Sequence, residues 1–345
     1  MQRKELIAEL FPGGVDPLWC PLLTHYIVRH GRVAVDRRRI AAQMRTLAPY
    51  VRQFLLAGST GDGWSLDPQQ FDELLTFAAH EAYWTPDARF LVGALAPSTQ
   101  EVLRRAQAIR THLGDARVRG FAGVAVCPPV GANVSQHAIH DHYVRVSRAM
   151  GMPLAVYQLP QVTGCRIEPE TFAAITAECP GIYLFKDSSG TDEIARTGSG
   201  LDGIVAVRGA EGNYFEALKP AGGPYDGLLL STANFIAYSL RTLVDMVSAG
   251  ERELAARLSG KLTRLVARLF EIAKACPSGN AFSNVSRAVD HLLAHGAYWS
   301  RVEPPMLQDG SRLPAEVLAE VAAVFEREEG IPEQGYFLHR YVGLE

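Results

Sequence analysis

The sequence has no long hydrophobic run. No apolar stretch approaches the ~18 residues that a membrane-spanning helix needs. Residues 1–15, MQRKELIAELFPGGV, are interrupted by charged side chains within a few positions. This pattern excludes a transmembrane helix and does not resemble a secretory signal peptide. We therefore expect a cytoplasmic protein with no membrane partner.

An excess of charge of one sign is also missing. The chain carries 34 basic and 37 acidic side chains, which gives a formal net charge of −3. Proteins that bind nucleic acids or anionic membrane surfaces usually carry a strongly basic face. The near balance of charges therefore predicts that neither nucleic acid nor membrane is a partner.

Cysteine is scarce and irregularly spaced. The count is odd, the spacings are wide and no CxxC pair occurs, which favours reduced thiols over a disulfide framework and argues against a structural zinc site. The five positions are Cys20, Cys127, Cys165, Cys179 and Cys276. Cys127 ends a predicted strand, where a small apolar side chain at a pocket wall is favoured over a reactive thiol.

Three histidines lie close together in SQHAIHDHY, at His137, His140 and His142. On a helix, His137 and His140 share a face, whereas His142 points elsewhere. Because no carboxylate matches a known metal motif, a solvated helix start capped by Ser135 is favoured over a metal site. We predict no metal and no cofactor.

Eight apolar runs are present, and amphipathic helical segments separate them. The runs lie near 15–23, 51–58, 89–95, 120–129, 153–160, 181–187, 203–209 and 226–232. Helix starts are marked by Asp67 before Pro68 and by the capping box STQE at 98–101. Eight strands that alternate with helices indicate an α/β protein with a (β/α)8 TIM barrel. A doubly wound sheet is less favoured, because GSTGDG at 58–63 lacks the GxGxxG spacing and follows the second strand.

The strand pattern stops near residue 233, and the remaining segments have helical periodicity. We predict a barrel over residues 1–235, whose last helix continues to about 250, and a C-terminal helical extension over residues 251–345.

Polar residues at the ends of the predicted strands indicate the chemistry, because the active site of this fold lies at the carboxyl ends. Lys186 ends the run GIYLFKDSSG, Tyr157 ends the fifth strand, and GSTG at 58–61 ends the second. A buried lysine has a lowered pKa and can attack a ketone to form an imine, and a tyrosine can transfer the protons. Backbone N–H groups and hydroxyls of a small-residue turn suit a carboxylate. Each feature alone has an ordinary structural reading, and their position at one end of one barrel favours catalysis.

Three motifs in order, GSTGDGWSLDPQQF, VYQLPQVTG and GIYLFKDSSG, resemble those of the dihydrodipicolinate synthase / N-acetylneuraminate lyase family of Schiff-base-forming, class I aldolases. The resemblance covers about residues 15–235. It implies that Lys186 forms the imine and that Tyr157 relays protons. It also implies a homo-oligomer, a dimer or a tetramer. By position, the resemblance further implies a carboxylate site and pocket formed by Gly58, Ser59, Thr60, Gly209 and Leu229, with Thr60 also supporting the proton relay.

Two departures from the family pattern bear on the substrate. Val162 stands where synthases of the lysine precursor have an arginine, and Pro129 and Val130 replace a pair of tyrosines. An apolar side chain cannot replace a charge-assisted bidentate contact, so dihydrodipicolinate synthesis is disfavoured. We predict a class I aldolase or lyase acting on a 2-oxo acid, with pyruvate as donor or product and a sugar-acid-type substrate. A Schiff-base dehydratase or hydratase-aldolase, and a catalytically silent member that binds a small acid, remain alternatives.

Overall fold

A computed structural model describes residues 2–337 of the chain. In these residues β1 and β4–β10 form a closed parallel barrel in the order β1-β10-β9-β8-β7-β6-β5-β4, and β2 and β3 form an antiparallel hairpin. The strands are β1 (Leu18–Cys20), β2 (Tyr26–Arg29), β3 (Arg32–Val35), β4 (Gln53–Leu56), β5 (Arg89–Gly93), β6 (Phe121–Val126), β7 (Leu154–Gln158), β8 (Ile182–Asp187), β9 (Val205–Arg208) and β10 (Gly227–Leu229). The predicted (β/α)8 barrel is confirmed.

Helices follow most of the strands, and several begin at the predicted caps. The side chain of Asp67 accepts a hydrogen bond from the Gln70 N–H, and that of Ser98 accepts one from Glu101. The helices are α1 (Arg3–Leu10), α2 (Arg37–Leu47), α3 (Pro68–Ala79), α4 (Thr99–Ile109), α5 (Gln136–Met150), α6 (Pro160–Thr163), α7 (Pro169–Glu178), α8 (Glu193–Thr197), α9 (Tyr214–Ala217), α10 (Ala237–Ser248), α11 (Arg252–Ala273), α12 (Ala281–His295) and α13 (Ala315–Glu328).

The helices α11, α12 and α13 follow α10 with no further barrel strand between residues 252 and 337. The division of the chain at residue 251 into a barrel and an extension stays a prediction, and its last part, residues 338–345, lies outside the described residues. In the described part of the chain no helix combines the length and the apolarity needed to cross a membrane.

The amino end of the barrel is closed by the N-terminal segment. Leu6 of α1 and Phe11 belong to the same buried cluster as the inward-facing side chains of the strands. The Phe11 ring lies 5.7 Å from the Trp19 ring and 6.0 Å from the Tyr183 ring, measured between centroids. The interior of the barrel at this end is therefore filled by packed aromatic and aliphatic side chains.

A bulge in β8 decides which of its side chains point into the barrel. Leu154 pairs with Ile182 but Ala155 pairs with Leu184, so Tyr183 is an extra residue on β8. Beyond the bulge, Leu184 joins the interior cluster, and Phe185 packs outward on Phe172 of α7 at 4.6 Å between ring centroids. Alternation along the strand then directs Lys186 into the barrel.

Candidate active site

Lys186 and Tyr157 occupy neighbouring strands at the carboxyl end of the barrel. They are register partners between β7 and β8, and both side chains are buried, at 4% and 3% exposure. The Lys186 Nζ lies 3.9 Å from the centroid of the Tyr157 ring. The amine and the phenol predicted from the sequence are therefore adjacent side chains in one site.

Burial changes the acid–base properties of Lys186. Loss of solvation lowers its pKa from 10.5 to about 7, although the nearby Glu211 carboxylate acts in the opposite direction. The neutral amine is therefore accessible near neutral pH. A neutral amine is the nucleophile that imine formation requires.

Burial acts on the neighbouring acids in the opposite sense. It raises the pKa of the Tyr157 phenol, with Ser188 partly opposing the shift, and it raises the pKa of the Cys127 thiol. Both groups therefore keep their protons near neutral pH. Tyr157 can donate a proton there, and Cys127 is a buried thiol, not a reactive thiolate.

The site opens into a cavity of about 250 Å³. Six of the seven residues expected from the sequence line it, namely Ser59, Thr60, Tyr157, Lys186, Gly209 and Leu229. Gly58 does not line the cavity. Its carbonyl oxygen instead accepts hydrogen bonds from the N–H groups of Gly61 at 3.1 Å and Gly63 at 2.9 Å, which stabilises the turn.

Gly209 is required by its closeness to the lysine. A Cβ atom at this position would lie 2.9 Å from Cε of Lys186 and would collide with Oγ of Ser188. Any larger residue would therefore force the side chain of Ser188, of Lys186 or of both to move.

Glu211 is a cavity residue that the sequence reasoning missed. Its carboxylate accepts four hydrogen bonds: Ser231 Oγ donates at 2.7 Å, Thr232 donates through its N–H at 3.1 Å and its Oγ1 at 2.8 Å, and the Tyr214 hydroxyl donates at 3.0 Å. Burial raises the Glu211 pKa, while these donors oppose the shift. In the sequence Glu211 is a single glutamate after a predicted strand. The local sequence pattern does not distinguish such a residue from a charged residue on the surface.

The loop that carries Glu211 is held by a buried arginine. Arg208 at the end of β9 donates to the carbonyl of Ala210 at 2.8 Å and lies 3.4 Å from a carboxylate oxygen of Asp192. The hydroxyl of Tyr225 donates to Asp192 at 2.8 Å and lies 3.1 Å from a carboxylate oxygen of Asp187. This network lies behind the cavity and fixes the residues that follow β8 and β9.

Two aromatic side chains from the C-terminal helices also reach the cavity. Phe270 of α11 and Phe282 of α12 line it, with their ring centroids 5.0 Å apart in an edge-to-face arrangement. The helical periodicity of α11 and α12 predicted amphipathic helices, but periodicity does not identify the surface that a helix covers.

The three residues that depart from the family pattern lie away from the cavity wall. Val130 and Val162 are exposed by 42% and 41%, and neither they nor Pro129 line the cavity. Among the described residues, the charged side chains in the lining are Lys186 and Glu211, and a guanidinium group is not among them.

The histidine segment takes no part in this site. His142 is buried and forms hydrogen bonds with Thr99 at 2.9 Å and with the carbonyl of Cys127 at 3.1 Å. His137 and His140 lie near Asp141 on the outer face of α5. Within residues 2–337 no three side chains of the metal-binding types come close enough together to hold an ion.

The solved structure of YagE, a prophage protein of the dihydrodipicolinic acid synthase family from E. coli K12 in complex with pyruvate, has a similar fold. The TM-score is 0.73 at 17% identity, and the match covers 92% of this chain and 100% of that one.

Curated relatives are more similar in sequence but only over part of their length. A 4-hydroxy-tetrahydrodipicolinate synthase of Chlorobium phaeovibrioides is 27% identical over 59% of this chain and 65% of its own, which is less than two thirds of that relative. A protein of the same name from Limosilactobacillus fermentum is 26% identical over 77% of this chain and 82% of its own. The profile of the dihydrodipicolinate synthetase family matches residues 41–283, and this range includes all the predicted site residues. The chain therefore belongs to the dihydrodipicolinate synthetase family.

Proposed function

We propose that the protein is a class I aldolase or lyase that acts on a 2-oxo acid through an imine on Lys186, with pyruvate as donor or product. The observation that carries the proposal is the buried Lys186, whose Nζ lies 3.9 Å from the centroid of the Tyr157 ring at the edge of the cavity, and whose burial lowers its pKa. A lysine in such surroundings is available as a nucleophile near neutral pH. That a family member has been solved in complex with pyruvate supports the choice of 2-oxo acid.

The proposed reaction begins with the 2-oxo acid carboxylate on the turn that contains Ser59 and Thr60. The neutral amine of Lys186 attacks the ketone carbon, and the former ketone oxygen leaves as water with a proton supplied through Tyr157. The protonated imine then accepts the electron pair of the C3–C4 bond as that bond breaks. The C4 hydroxyl passes its proton to the Tyr157 phenolate, which restores the phenol, and the aldehyde departs. Protonation of the resulting enamine at C3 and hydrolysis of the imine release pyruvate and restore the amine.

Glu211 contributes charge stabilisation in this proposal. Its carboxylate lines the same cavity as Lys186 and raises the lysine pKa, which means that it favours a positive charge at that nitrogen. The imine is positively charged when it accepts electrons. A fixed carboxylate with four donors is held in place for this role and requires little reorganisation.

A sugar-acid-type substrate is proposed from the polar lining. The hydroxyls of Ser188 and Ser231 and the amide of Gln161 face a cavity without a guanidinium group among the described residues. These groups can bind the hydroxyls of a neutral aldehyde portion, whereas a second carboxylate would find no bidentate partner and would be repelled by Glu211. Val162, which stands in place of the arginine of the synthases, is exposed and supplies no charged partner for a second carboxylate. It therefore favours a sugar-acid-type substrate over dihydrodipicolinate synthesis.

The experiment is reduction with borohydride in the presence of pyruvate, followed by peptide mass mapping. We expect one reduced adduct on Lys186, its loss in Lys186→Ala, and its retention in Lys219→Ala, which removes an exposed lysine. An adduct on a different lysine, or no adduct with several 2-oxo acids, contradicts the proposal. Analysis of products from 2-oxo-3-deoxy sugar acids then identifies the step, because an aldolase yields pyruvate and an aldehyde, while a dehydratase leaves the carbon count unchanged.

A further inference from the structure

The start of α12 lies directly against the turn that contains Ser59 and Thr60. The Nδ2 group of Asn280 donates to the Ser59 carbonyl at 3.2 Å. The Ser283 hydroxyl lies 2.9 Å from the Thr60 carbonyl and 3.3 Å from the Ser59 carbonyl. Ser283 is completely buried, so water cannot replace its hydroxyl without rearrangement. Two residues of a C-terminal helix therefore hold two successive carbonyls of a turn more than 220 positions earlier.

The rest of the turn is fixed by equally buried groups. The Thr24 hydroxyl donates to the Gly61 carbonyl at 2.7 Å. Asp62 accepts a hydrogen bond from the Tyr26 hydroxyl at 2.7 Å and forms an ion pair with Arg287 of α12. The same helix also contacts the segment that follows β10, where the Ser286 hydroxyl donates to the carbonyl of Ser231, another cavity residue, at 3.2 Å. Helix α12 thus bridges two segments of the cavity wall.

Peptide planarity connects these contacts to the ligand side of the turn. In a trans peptide the carbonyl of one residue and the N–H of the next point in opposite directions. The Ser59 carbonyl points to α12, so the N–H of Thr60 points away from α12. Ser59 and Thr60 both line the cavity. Bonds from α12 therefore fix the orientation of the peptide between Ser59 and Thr60, which carries a backbone donor in the cavity wall.

We propose that Asn280 and Ser283 are positioning residues for the 2-oxo acid carboxylate: they orient the peptide between Ser59 and Thr60 so that its N–H faces the substrate. This inference rests on the proposed function, in which that turn binds the carboxylate. It also gives the start of α12 a part in substrate binding, in addition to the contribution of Phe282 to the cavity wall.

The test measures borohydride trapping against pyruvate concentration in four proteins. Ser283→Ala removes the hydroxyl that lies within hydrogen-bond distance of both carbonyls. Asn280→Asp removes the Nδ2 donor. It keeps a side-chain oxygen in the place of Asn280 Oδ1, which accepts the Ser283 N–H at 2.8 Å in the wild type, and so preserves the helix cap. Ser239→Ala is the control, because that buried hydroxyl of α10 bonds to Glu329 instead. The wild type is the fourth protein, and the midpoint of thermal unfolding is recorded for each.

We expect the half-saturating pyruvate concentration to rise about tenfold in Ser283→Ala, the effect of about one buried hydrogen bond. We expect a smaller rise in Asn280→Asp and none in Ser239→Ala, with the trapped fraction at saturating pyruvate unchanged in all. If the half-saturating pyruvate concentration is unchanged in both Ser283→Ala and Asn280→Asp, the inference is overturned. It is also overturned if this concentration rises as much in Ser239→Ala as in Ser283→Ala.

A failure of the proposed function is a separate outcome. If the wild type forms no adduct, the imine chemistry is wrong, and the inference is decided by the rise in unfolding temperature that pyruvate causes. A rise that needs more pyruvate in Ser283→Ala than in Ser239→Ala supports the positioning role. The positioning role is overturned if the unfolding temperature depends on pyruvate concentration equally in the two variants, or if pyruvate does not raise the unfolding temperature of the wild type.

Discussion

The Nζ atom of Lys186 lies 3.9 Å from the centroid of the Tyr157 ring, and the two residues are register partners on neighbouring parallel strands. Strand register fixes their separation, so the pair does not depend on a mobile loop. Burial acts on both members, lowering the lysine pKa and raising the tyrosine pKa. Near neutral pH the amine can lose its proton while the phenol keeps its own, which is the combination that imine formation uses.

The pH dependence of trapping is the first prediction. Because burial lowers the Lys186 pKa to about 7, the amine is protonated and unreactive below this pH and neutral above it. The initial rate of pyruvate trapping should therefore rise about tenfold between pH 6 and pH 8. A rate that rises only above pH 9 would show that Lys186 keeps an ordinary pKa.

Replacement of Glu211 tests whether this carboxylate influences the midpoint of the pH–rate profile of pyruvate trapping. Glu211 raises the Lys186 pKa, so Glu211→Gln should lower it and move the midpoint of the pH–rate profile to lower pH. A midpoint that moves upward or stays in place would be inconsistent with an electrostatic role for this carboxylate.

Tyr157→Phe distinguishes the contribution of the Tyr157 hydroxyl from that of its aromatic ring. The variant keeps the aromatic face beside Lys186 and loses the proton donor, so imine formation should slow by about 10²–10⁴-fold. Tyr183→Phe is the matched control, because the Tyr183 hydroxyl donates to the Ala122 carbonyl deep in the barrel at 2.9 Å. The control should lose about 1 kcal/mol of unfolding free energy and keep its rate. Equal rates in the two variants would remove Tyr157 from the mechanism.

Gly209→Ala places a methyl group against the reactive lysine. The added Cβ would lie 2.9 Å from Lys186 Cε, so we expect most of the trapping to be lost and the unfolding free energy to fall by about 1–3 kcal/mol. Gly13→Ala is the control, since its Cβ would meet no atom within 4 Å, and it should stay within about 0.5 kcal/mol of the wild type. Normal trapping in Gly209→Ala would contradict the close packing described here.

Arg287→Met tests the ion pair behind the carboxylate-binding turn. Arg287 is 2% exposed and pairs with Asp62. Its loss leaves a buried carboxylate without its partner, which should cost about 3–5 kcal/mol in the free energy of unfolding.

Two further variants complete this measurement by denaturant unfolding. Asp62→Asn in the Arg287→Met background should recover part of the loss, because it removes the unpaired charge. Lys219→Met breaks the exposed pair with Asp226 and should cost no more than about 1 kcal/mol. A loss of that size for Arg287→Met as well would mean that the buried pair contributes little.

The sequence predicted the barrel well because its strands are short apolar runs that alternate with segments of helical periodicity. It missed the hairpin of β2 and β3, whose side chains Ile27 and Val28 are 41% and 58% exposed and so give no continuous apolar signal. The hairpin turn consists of His30 and Gly31, both with positive φ, at +52° and +75°. Histidine at such a position is not a strong turn signal.

In the candidate site, the residues that end strands could be predicted, and those supplied by distant segments could not. Lys186, Tyr157 and the 58–61 turn follow apolar runs, so the fold places them at one end. Glu211 depends on donors from Ser231 and Thr232 after the next strand. Ser283 meets Thr60 only through the packing of α12 on the barrel, and no local periodicity encodes a contact between residues 223 positions apart.

A crystal structure of the protein soaked with pyruvate and reduced with borohydride would test the central claim most directly. We predict continuous electron density from Nζ of Lys186 to the bound three-carbon unit, with its carboxylate on Ser59 and Thr60 and its carbon chain beside Tyr157. An unmodified Lys186 in crystals that hold pyruvate, or an adduct on another lysine, would contradict this account.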